Sequence, residues 1–546
     1  MKLAIAQLNY HIGNFDQNLD KIFKAIDQSR SLGAELVVFA ELAISGYPPR
    51  DFLEFDDYID RCWASIESIA QKTENIAVII GSPSRNINVK GKRLYNSAVF
   101  ICNKKIVSIH HKGLLPTYDI FDEYRYFEPS TVFKTIEYMG KKIALTICED
   151  LWNVGDNPLY TANPMDELYK SNPDLIINIA ASPFNYLQAS SRKEILLENV
   201  KKYKLPLVYV NHVGAQTELL FDGGSLVYNA NGELVKECNY FTEDLQLIDL
   251  DEVIEFKTDV ILSPFVSKIE LIHEALVMGV RNYFHKLGFK KSILGLSGGI
   301  DSAVTAAIAA EALGAENITG ILLPSQFSSD HSISDAKQLA LNLNCKFDVI
   351  PIESSYISIK ESLSKQFKGL PFDLAEENIQ ARVRGVILMA LSNKFGSILL
   401  NTSNKSEAAV GYGTLYGDMN GGISVLGDVY KTEVFELARY INRKREIIPE
   451  NTIIKPPSAE LRPNQKDSDS LPDYKILDQI LYNYIELRKG PEDLKKMGFD
   501  AQIVDRTLKM VNTTEYKRYQ TPPILRVSPK AFGMGRRMPI VAKYLS

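Results

Sequence analysis

Cysteine is scarce in this 546-residue chain, with five residues at positions 62, 102, 148, 238 and 345, and no two of them form a Cys-x-x-Cys pair. An odd, scattered set excludes a disulfide framework and a paired zinc or redox motif, and it points to a reduced, cytoplasmic compartment. The seven histidines show no His-Glu-x-x-His spacing, and no string satisfies the Walker phosphate loop. No apolar run approaches the roughly 18 residues of a spanning helix. The run at Met1 to Tyr10 is broken by Gln7 and Asn9, too short and polar for a signal-peptide core. Neither charge dominates: 62 basic against 67 acidic residues leave a net charge of -5. The balance predicts no nucleic-acid partner and no membrane surface, while leaving room for a small polyanion bound by local loops. There are no internal repeats.

Length alone favours at least two cores. Up to about residue 250, β-branched runs alternate with helical stretches, which predicts a layered α/β domain. The expected strands are Lys2 to Gln7, Leu36 to Phe39, Ile76 to Gly81, Ser97 to Ile101, Lys105 to His110, Lys142 to Thr146, Leu175 to Ile179, Leu207 to Val210 and Gly224 to Tyr228. Helices are expected at Asn18 to Leu32 and Tyr58 to Thr73. A less periodic stretch with Ser263 and Pro264 places a linker at 256–268, between a domain at 1–255 and one at 269–546. There, helix Ile269 to Leu287, strand Ser292 to Leu296, helix Ala303 to Leu313, strand Ile318 to Leu323, helix Ile333 to Asn342 and strand Phe347 to Ile350 continue as a doubly wound parallel sheet. Residues 455–471, rich in Pro, Ser, Asp and Asn, read as a long mobile loop and a candidate lid.

Between strand and helix stands Gly295-Leu296-Ser297-Gly298-Gly299-Ile300-Asp301-Ser302. Glycines allow close backbone approach to phosphate, and the helix N-terminus supplies free N–H groups and a positive dipole end. Asp301 would repel a bare phosphate, so it implies a magnesium ion between them. A plain glycine turn capped by Ser302 or Asp301 is the bland alternative. The octapeptide resembles the pyrophosphate-binding loop of the ATP pyrophosphatase superfamily, and the resemblance implies cleavage of ATP to AMP and pyrophosphate. Gly411-Tyr412-Gly413-Thr414-Leu415-Tyr416-Gly417 misses the dinucleotide spacing and reads as a loop ending a helix.

In the first half, Glu41, Lys112 and Cys148 each follow an apolar strand-like run, at the strand ends where α/β folds collect ligand groups. A thiol attacking a carboxamide needs a base, a cation or donor for the oxyanion, and a proton for departing ammonia, and these three side chains can supply all of them. A nearby lysine favours the thiolate of a cysteine that otherwise titrates near ~8.5. Taken singly, each could be a buried strand residue, a cap or a surface charge. Set in Glu41-Leu42-Ala43-Ile44-Ser45-Gly46-Tyr47-Pro48-Pro49, His111-Lys112-Gly113-Leu114-Leu115-Pro116 and Cys148-Glu149-Asp150-Leu151-Trp152, they resemble the nitrilase superfamily. That resemblance implies a four-layer αββα sandwich.

The two halves together resemble the glutamine-dependent NAD+ synthetases over essentially the whole chain. The strings are Leu323-Pro324-Ser325-Gln326-Phe327-Ser328-Ser329-Asp330-His331-Ser332, Glu377-Asn378-Ile379-Gln380-Ala381-Arg382-Val383-Arg384, Thr402-Ser403-Asn404-Lys405-Ser406-Glu407, Gly427-Asp428-Val429-Tyr430-Lys431-Thr432 and Glu515-Tyr516-Lys517-Arg518. The resemblance implies that Glu41 is the general base, Lys112 the oxyanion group and Cys148 the glutaminase nucleophile, with Tyr118, Ser182 and Gln188 holding glutamine. It places ATP on Gly295, Leu296, Ser297, Gly298, Gly299, Ile300, Asp301, Ser302, Leu323, Thr402 and Lys431, Mg2+ near Asp301 and Glu407, and deamido-NAD+ on Asn378, Glu407 and Lys517. It also implies a homo-oligomer. Gln188 replaces a lysine common in relatives, Ser403 a glycine and Gln326 a basic residue. Two other readings remain open at this point: another adenylylating amidotransferase, or an ammonia-only synthetase with an inert N-terminal scaffold.

Overall fold

The computed structural model describes residues 1–88, 90–155, 158–255, 266–463 and 465–545, in two compact units, Met1–Phe265 and Val266–Ser546. Most of the expected linker, 256–265, lies outside the described residues, and Lys268 is already the first residue of helix Lys268–Leu287.

The first unit has two six-stranded sheets. One runs in the order Asp244–Asp249, Lys2–Gln7, Leu36–Phe39, Ala77–Arg85, Leu94–Cys102, Lys105–His111. The other runs Leu234–Glu237, Leu226–Tyr228, Leu207–Val210, Leu175–Ile179, Lys141–Ile147, Ile136–Tyr138. Side chains alternate along each strand with a period of two, so one strand feeds two cores. Leu3, Ile5, Leu36, Val38, Ala77, Ile79, Ala98 and Phe100 meet Ile143, Leu145, Ile177 and Ile179 of the other sheet. Their neighbours Ala4, Ala6, Val37, Phe39, Val78, Ile80, Val99 and Ile101 face Ile22, Ile26, Ile59, Cys62 and Ile66 of helices Phe15–Ser31 and Asp56–Ala70. The first helix starts where Asn14 accepts the Gln17 N–H, and it buries Phe15, Asn18, Ile22, Ala25, Ile26 and Ser29 along one face. Leu196 and Val200 of helix Gln188–Tyr203 belong to the inter-sheet core cluster, behind the second sheet. The layers are therefore αββα.

The second unit has five parallel strands in the order Lys346–Val349, Ile318–Leu322, Ser292–Gly295, Ile398–Asn401, Ile423–Ser424. Counted along the chain this is 3-2-1-4-5, the doubly wound pattern, and its switch point lies between Ser292–Gly295 and Ile398–Asn401. Helices Lys268–Leu287, Ile300–Leu313 and Lys431–Ile441 pack on one another. Helix Leu374–Phe395 lies against both switch-point strands and buries Ile379, Val383 and Leu388 with Ile293, Leu323 and Leu399.

Strand Asp244–Asp249 carries weak local signal. It exists because its register against Lys2–Gln7, from Lys2 opposite Asp249 to Gln7 opposite Asp244, completes a sheet edge from the far end of the unit. The strand expected to start at Gly224 begins at Leu226, after Gly223 and Gly224 turn with positive φ. The expected mobile loop 455–471 is fastened: Gln380 donates to the Leu461 carbonyl (2.8 Å), the Asp467 N–H to Pro457 (3.1 Å), and the Glu460 carboxylate accepts the Ser329 and Ser332 hydroxyls, each at 2.7 Å. Gly411 ends helix Lys405–Val410 in the left-handed conformation, as the glycine-rich stretch there suggested.

Arg192 and Asp222 form a fully buried bidentate pair at 3.0 and 2.8 Å, joining helix Gln188–Tyr203 to strand Leu219–Asp222. Removing one member strands the other charge in a low-dielectric interior. Asp222→Ala should therefore cost about 3–5 kcal/mol in urea unfolding. A loss below about 1 kcal/mol, the size of an exposed pair, would show that water reaches the site.

Candidate active sites

Ala40 follows strand Leu36–Phe39 and leads directly to Glu41, which is fully buried. The turn packs so closely on the next strand that a Cβ on Gly81 would lie 2.2 Å from the Leu42 nitrogen and 2.6 Å from the Glu41 carbonyl carbon. Glycine at 81 is what lets the carboxylate sit there. Directly after strand Lys105–His111 comes Lys112, also fully buried, whose Nζ donates to Glu41 Oε1 at 2.7 Å and to both oxygens of Glu123 at 2.9 Å. Asn96 donates to Glu41 (2.7 Å) and Glu123 (3.3 Å), the Ala181 N–H to Glu41 (2.9 Å), and the Tyr47 hydroxyl to Glu123 (2.8 Å).

Cys148 follows strand Lys141–Ile147 and holds φ at +44°, a left-handed conformation that strains a residue with a Cβ. Asp150 supports the turn: one oxygen accepts the Ile147 N–H (3.0 Å), and the other accepts the N–H groups of Gly113 and Leu114, both at 2.9 Å. The carboxylate thus ties the cysteine turn to the residues just after Lys112. Burial pushes it up to about 6 against the pull of those N–H groups.

The electrostatics follow from burying two carboxylates, an ammonium and a thiol together. Burial opposes the Lys112 ammonium, but Glu123 and Glu41 outweigh it and hold the pKa well above its usual value. Burial pushes Glu123 up to about 7, with Lys112 pulling it down and Glu41 pushing it up. Burial and the Glu41 charge drive the Cys148 thiol far above its usual value, and Lys112 offsets only part of this. Burial and the neighbouring carboxylates thus favour the thiol over the standing thiolate that a lysine neighbour alone suggests.

Tyr118 reaches this centre through Glu149, the buried neighbour of Cys148, donating to its two oxygens at 3.0 and 3.1 Å, and Tyr160 adds a bond of 3.0 Å. Ser182 and Gln188 meet each other, with Gln188 Nε2 donating to Ser182 Oγ at 3.2 Å, one residue beyond the Ala181 N–H on Glu41. Glu123, Asn96 and Tyr160 lie outside the motifs read in the sequence, and Glu149 stands in the Cys148 string with no role assigned to it there; tertiary position brings all four to this centre.

In the second unit, the stretch Gly295 to Ser302 leaves strand Ser292–Gly295 and enters helix Ile300–Leu313 at the switch point. Gly298 has φ +79°, and a Cβ there would lie 2.2 Å from the Ser332 carbonyl oxygen, so no other residue fits. Lys431 bonds Asp301 at 2.5 Å and Glu407 at 3.2 Å, while Asn404 donates to the other Asp301 oxygen at 2.9 Å. Asp467, unflagged in the sequence, accepts Tyr474 (3.0 Å) and Tyr412 (3.3 Å) and adds its charge to this group. Burial pushes Glu407 up to about 8, with Lys431 lowering it and Asp301 and Asp467 raising it. Two hard carboxylates under such repulsion fit a small divalent cation shared with a phosphate. Thr402 directly follows strand Ile398–Asn401, and Leu323 directly follows Ile318–Leu322. Asn378 accepts the Thr414 hydroxyl (2.7 Å), and Lys517 donates to the carbonyls of Gly411 (2.7 Å) and Gly413 (2.8 Å), so both secure one loop beside the site.

The first unit defines a thiol amidase of nitrilase type, and the second an ATP-pyrophosphatase-type nucleotide domain. Residues 2–257 match the carbon-nitrogen hydrolase family and residues 272–521 the NAD synthase family. A glutamine-dependent NAD(+) synthetase of Synechocystis sp. is 45% identical over 551 residues, covering 99% of both chains. That of Aquifex aeolicus is 40% identical over 577 residues, covering 100% of each. The solved structure of the Acinetobacter baumannii glutamine-dependent NAD+ synthetase in complex with ADP, 39% identical, aligns with a TM-score of 0.79 over 99% of this chain and 98% of its own. The chain belongs to the glutamine-dependent NAD+ synthetase family.

With its thiol pKa far raised, Cys148 should alkylate ever faster as pH increases, with no plateau up to about pH 9, whereas an ordinary thiol turns over near ~8.5. Iodoacetamide labelling followed by peptide mass analysis, with Cys148→Ala as blank, measures it. A plateau below about pH 8 would mean that the resting group is a thiolate.

Proposed function

We propose that the chain hydrolyses glutamine in its first unit and, in its second, uses ATP and ammonia to convert deamido-NAD+ to NAD+, releasing AMP and pyrophosphate. The observation that carries this reading is the buried Lys112 ammonium bonded to Glu41 and Glu123 beside Cys148. Family membership over the full length supports the joint reaction.

Glu41 takes the Cys148 proton as sulfur attacks the glutamine carboxamide, and the Lys112 ammonium faces the oxyanion that develops. Glu41 then passes the proton to departing ammonia and later activates the water that cleaves the thioester. Glu149, a buried carboxylate already accepting two tyrosine hydroxyls, suits the substrate ammonium, while Ser182 and Gln188 offer neutral donors to its carboxylate. In the second unit the loop N–H groups and the positive end of helix Ile300–Leu313 receive the ATP phosphates. Asp301 and Glu407 would hold magnesium, which would neutralise charge on the leaving pyrophosphate. Lys431 lies between those carboxylates, placed to follow phosphate charge, and Asn378, Glu407 and Lys517 frame the deamido-NAD+ side. The segment 455–471, fastened here through Glu460 and Leu461, would act as a lid over the adenylate by releasing and remaking those bonds. The segments 1–255 and 269–546 are the glutaminase and synthetase domains. We also infer a homo-oligomer, as the resemblance implies, and a cytoplasmic setting, to which the five free cysteines are suited. No helix among the described residues is long and apolar enough to cross a membrane.

The decisive experiment is NAD+ formation from deamido-NAD+, ATP and Mg2+ with glutamine or ammonium as nitrogen donor. The unmodified protein should use both donors and Cys148→Ala only ammonium. Ammonium use without glutamine use would leave the first unit a scaffold, and failure with both donors would remove the substrate assignment. Glu123, pushed up to about 7, loses its charge below that pH and with it part of its hold on Lys112. Glutaminase kcat should therefore fall as pH drops through about 7, and Glu123→Gln should lower kcat and remove that limb. An unchanged limb in the variant would assign the titration to another group.

A further inference from the structure

Arg384 lies on helix Leu374–Phe395, which packs on the strands at the switch point of the second unit. Its Nε donates to the Leu323 carbonyl at 3.0 Å, at the C-terminal end of strand Ile318–Leu322. Its charge is also within electrostatic reach of Asp418 and Glu460. The Asp418 carbonyl accepts from Asn401 (2.9 Å), the last residue of strand Ile398–Asn401. The guanidinium is therefore anchored at the C-terminal end of strand Ile318–Leu322, on the side of the sheet where doubly wound folds bind their ligands, with the Asp418 charge beside the end of strand Ile398–Asn401 in electrostatic reach.

Arg384 is half-buried, and its pairing differs from that of the buried cations in the chain. Arg192 has Asp222 at 2.8 Å, Lys405 has Asp428 at 2.9 Å and Glu486 at 2.8 Å, and Arg518 has Glu515 at 2.7 Å. Arg384 forms no ion pair among the described residues, and Nε to Leu323 is its one hydrogen bond among them. The nearby carboxylates are committed elsewhere: Asp418 accepts the Thr414 N–H (2.7 Å), and Glu460 the Ser329 and Ser332 hydroxyls (each 2.7 Å). Burial disfavours the Arg384 charge, and Asp418 and Glu460 only partly compensate. A half-buried guanidinium whose Nε is anchored and whose terminal nitrogens have no anion among the described residues is a preset fork for one, and phosphate matches that fork in two parallel bonds. The anion that the neighbouring loop is built to receive is the ATP polyphosphate: Gly298 packs on Ser332, whose hydroxyl Glu460 caps.

We infer that Arg384 binds the phosphate oxygens of ATP from the helix Leu374–Phe395 side of the crevice, opposite the Gly298 loop, and holds the pyrophosphate as it leaves. This rests on the ATP-dependent reading above. It adds a substrate-contacting cation that acts on ATP and pyrophosphate but not on glutamine.

The test uses the full chain with ammonium as nitrogen donor, so that the first unit's chemistry is bypassed. Arg384→Met and Arg384→Lys are compared with the unmodified protein in KM for ATP, KM for deamido-NAD+, and binding of inorganic pyrophosphate by calorimetry. Losing a charge-assisted pair of bonds should raise KM for ATP and weaken pyrophosphate binding by about tenfold or more. The deamido-NAD+ KM should change less than about twofold, and Arg384→Lys, which keeps the charge without the fork, should fall between. Unchanged ATP and pyrophosphate affinities in Arg384→Met overturn the inference, as does a loss that falls equally on deamido-NAD+. Should Arg384→Met fail to fold, the lysine variant decides, and pyrophosphate binding equal to the unmodified protein's overturns it. If the unmodified protein forms no NAD+, the broader reading fails, and pyrophosphate binding still judges Arg384 by itself.

Discussion

The first unit depends on one arrangement: a lysine ammonium with no exposure to solvent, bonded to two carboxylates, next to a thiol. An isolated charge in such a place would cost several kcal/mol in lost hydration. Lys112 is tolerated because Glu41 and Glu123 surround it and because Asn96, Tyr47 and the Ala181 N–H occupy further lone pairs of those carboxylates. The same network acts on the neighbouring thiol: because Lys112 is already matched to two carboxylates, it offsets only part of the burial and the Glu41 charge that raise the Cys148 pKa.

The second unit solves a related problem with opposite polarity. Asp301, Glu407 and Asp467 crowd acidic charge at the end of the nucleotide loop, and Lys431 is the internal counter-ion. Burial and the mutual repulsion of these carboxylates, only partly offset by Lys431, push the Glu407 pKa up to about 8. The chain thus gathers its buried charge clusters beside strand C-terminal ends in both units.

Structural support comes from residues without chemistry of their own. Asp150 binds the cysteine turn to the stretch after Lys112 with three backbone bonds. Gly81 and Gly298 make room for backbone contacts that any Cβ would block. Glu460 reaches from the segment 455–471 to the first turn of helix Asp330–Leu343, so a stretch with a loop-like composition is held by specific bonds.

Period-two alternation and strand-to-helix spacing are local properties, and the sequence by itself determined the central strands of both units, the place of the glycine loop, and Glu41, Lys112 and Cys148 as strand-end residues. Lys112 and Lys431 were legible through the motifs that contain them. The edge strand Asp244–Asp249 was not, because its partner is the first strand of the chain and only closure of the sheet supplies its hydrogen bonds. Glu123, Glu149, Asp467 and Arg384 look like ordinary charged residues in their local strings. Tertiary structure alone decided that these charges are buried, which other charges they face and how far their pKa values move, because desolvation and Coulomb energy depend on distance through space and on what excludes water, not on separation along the chain.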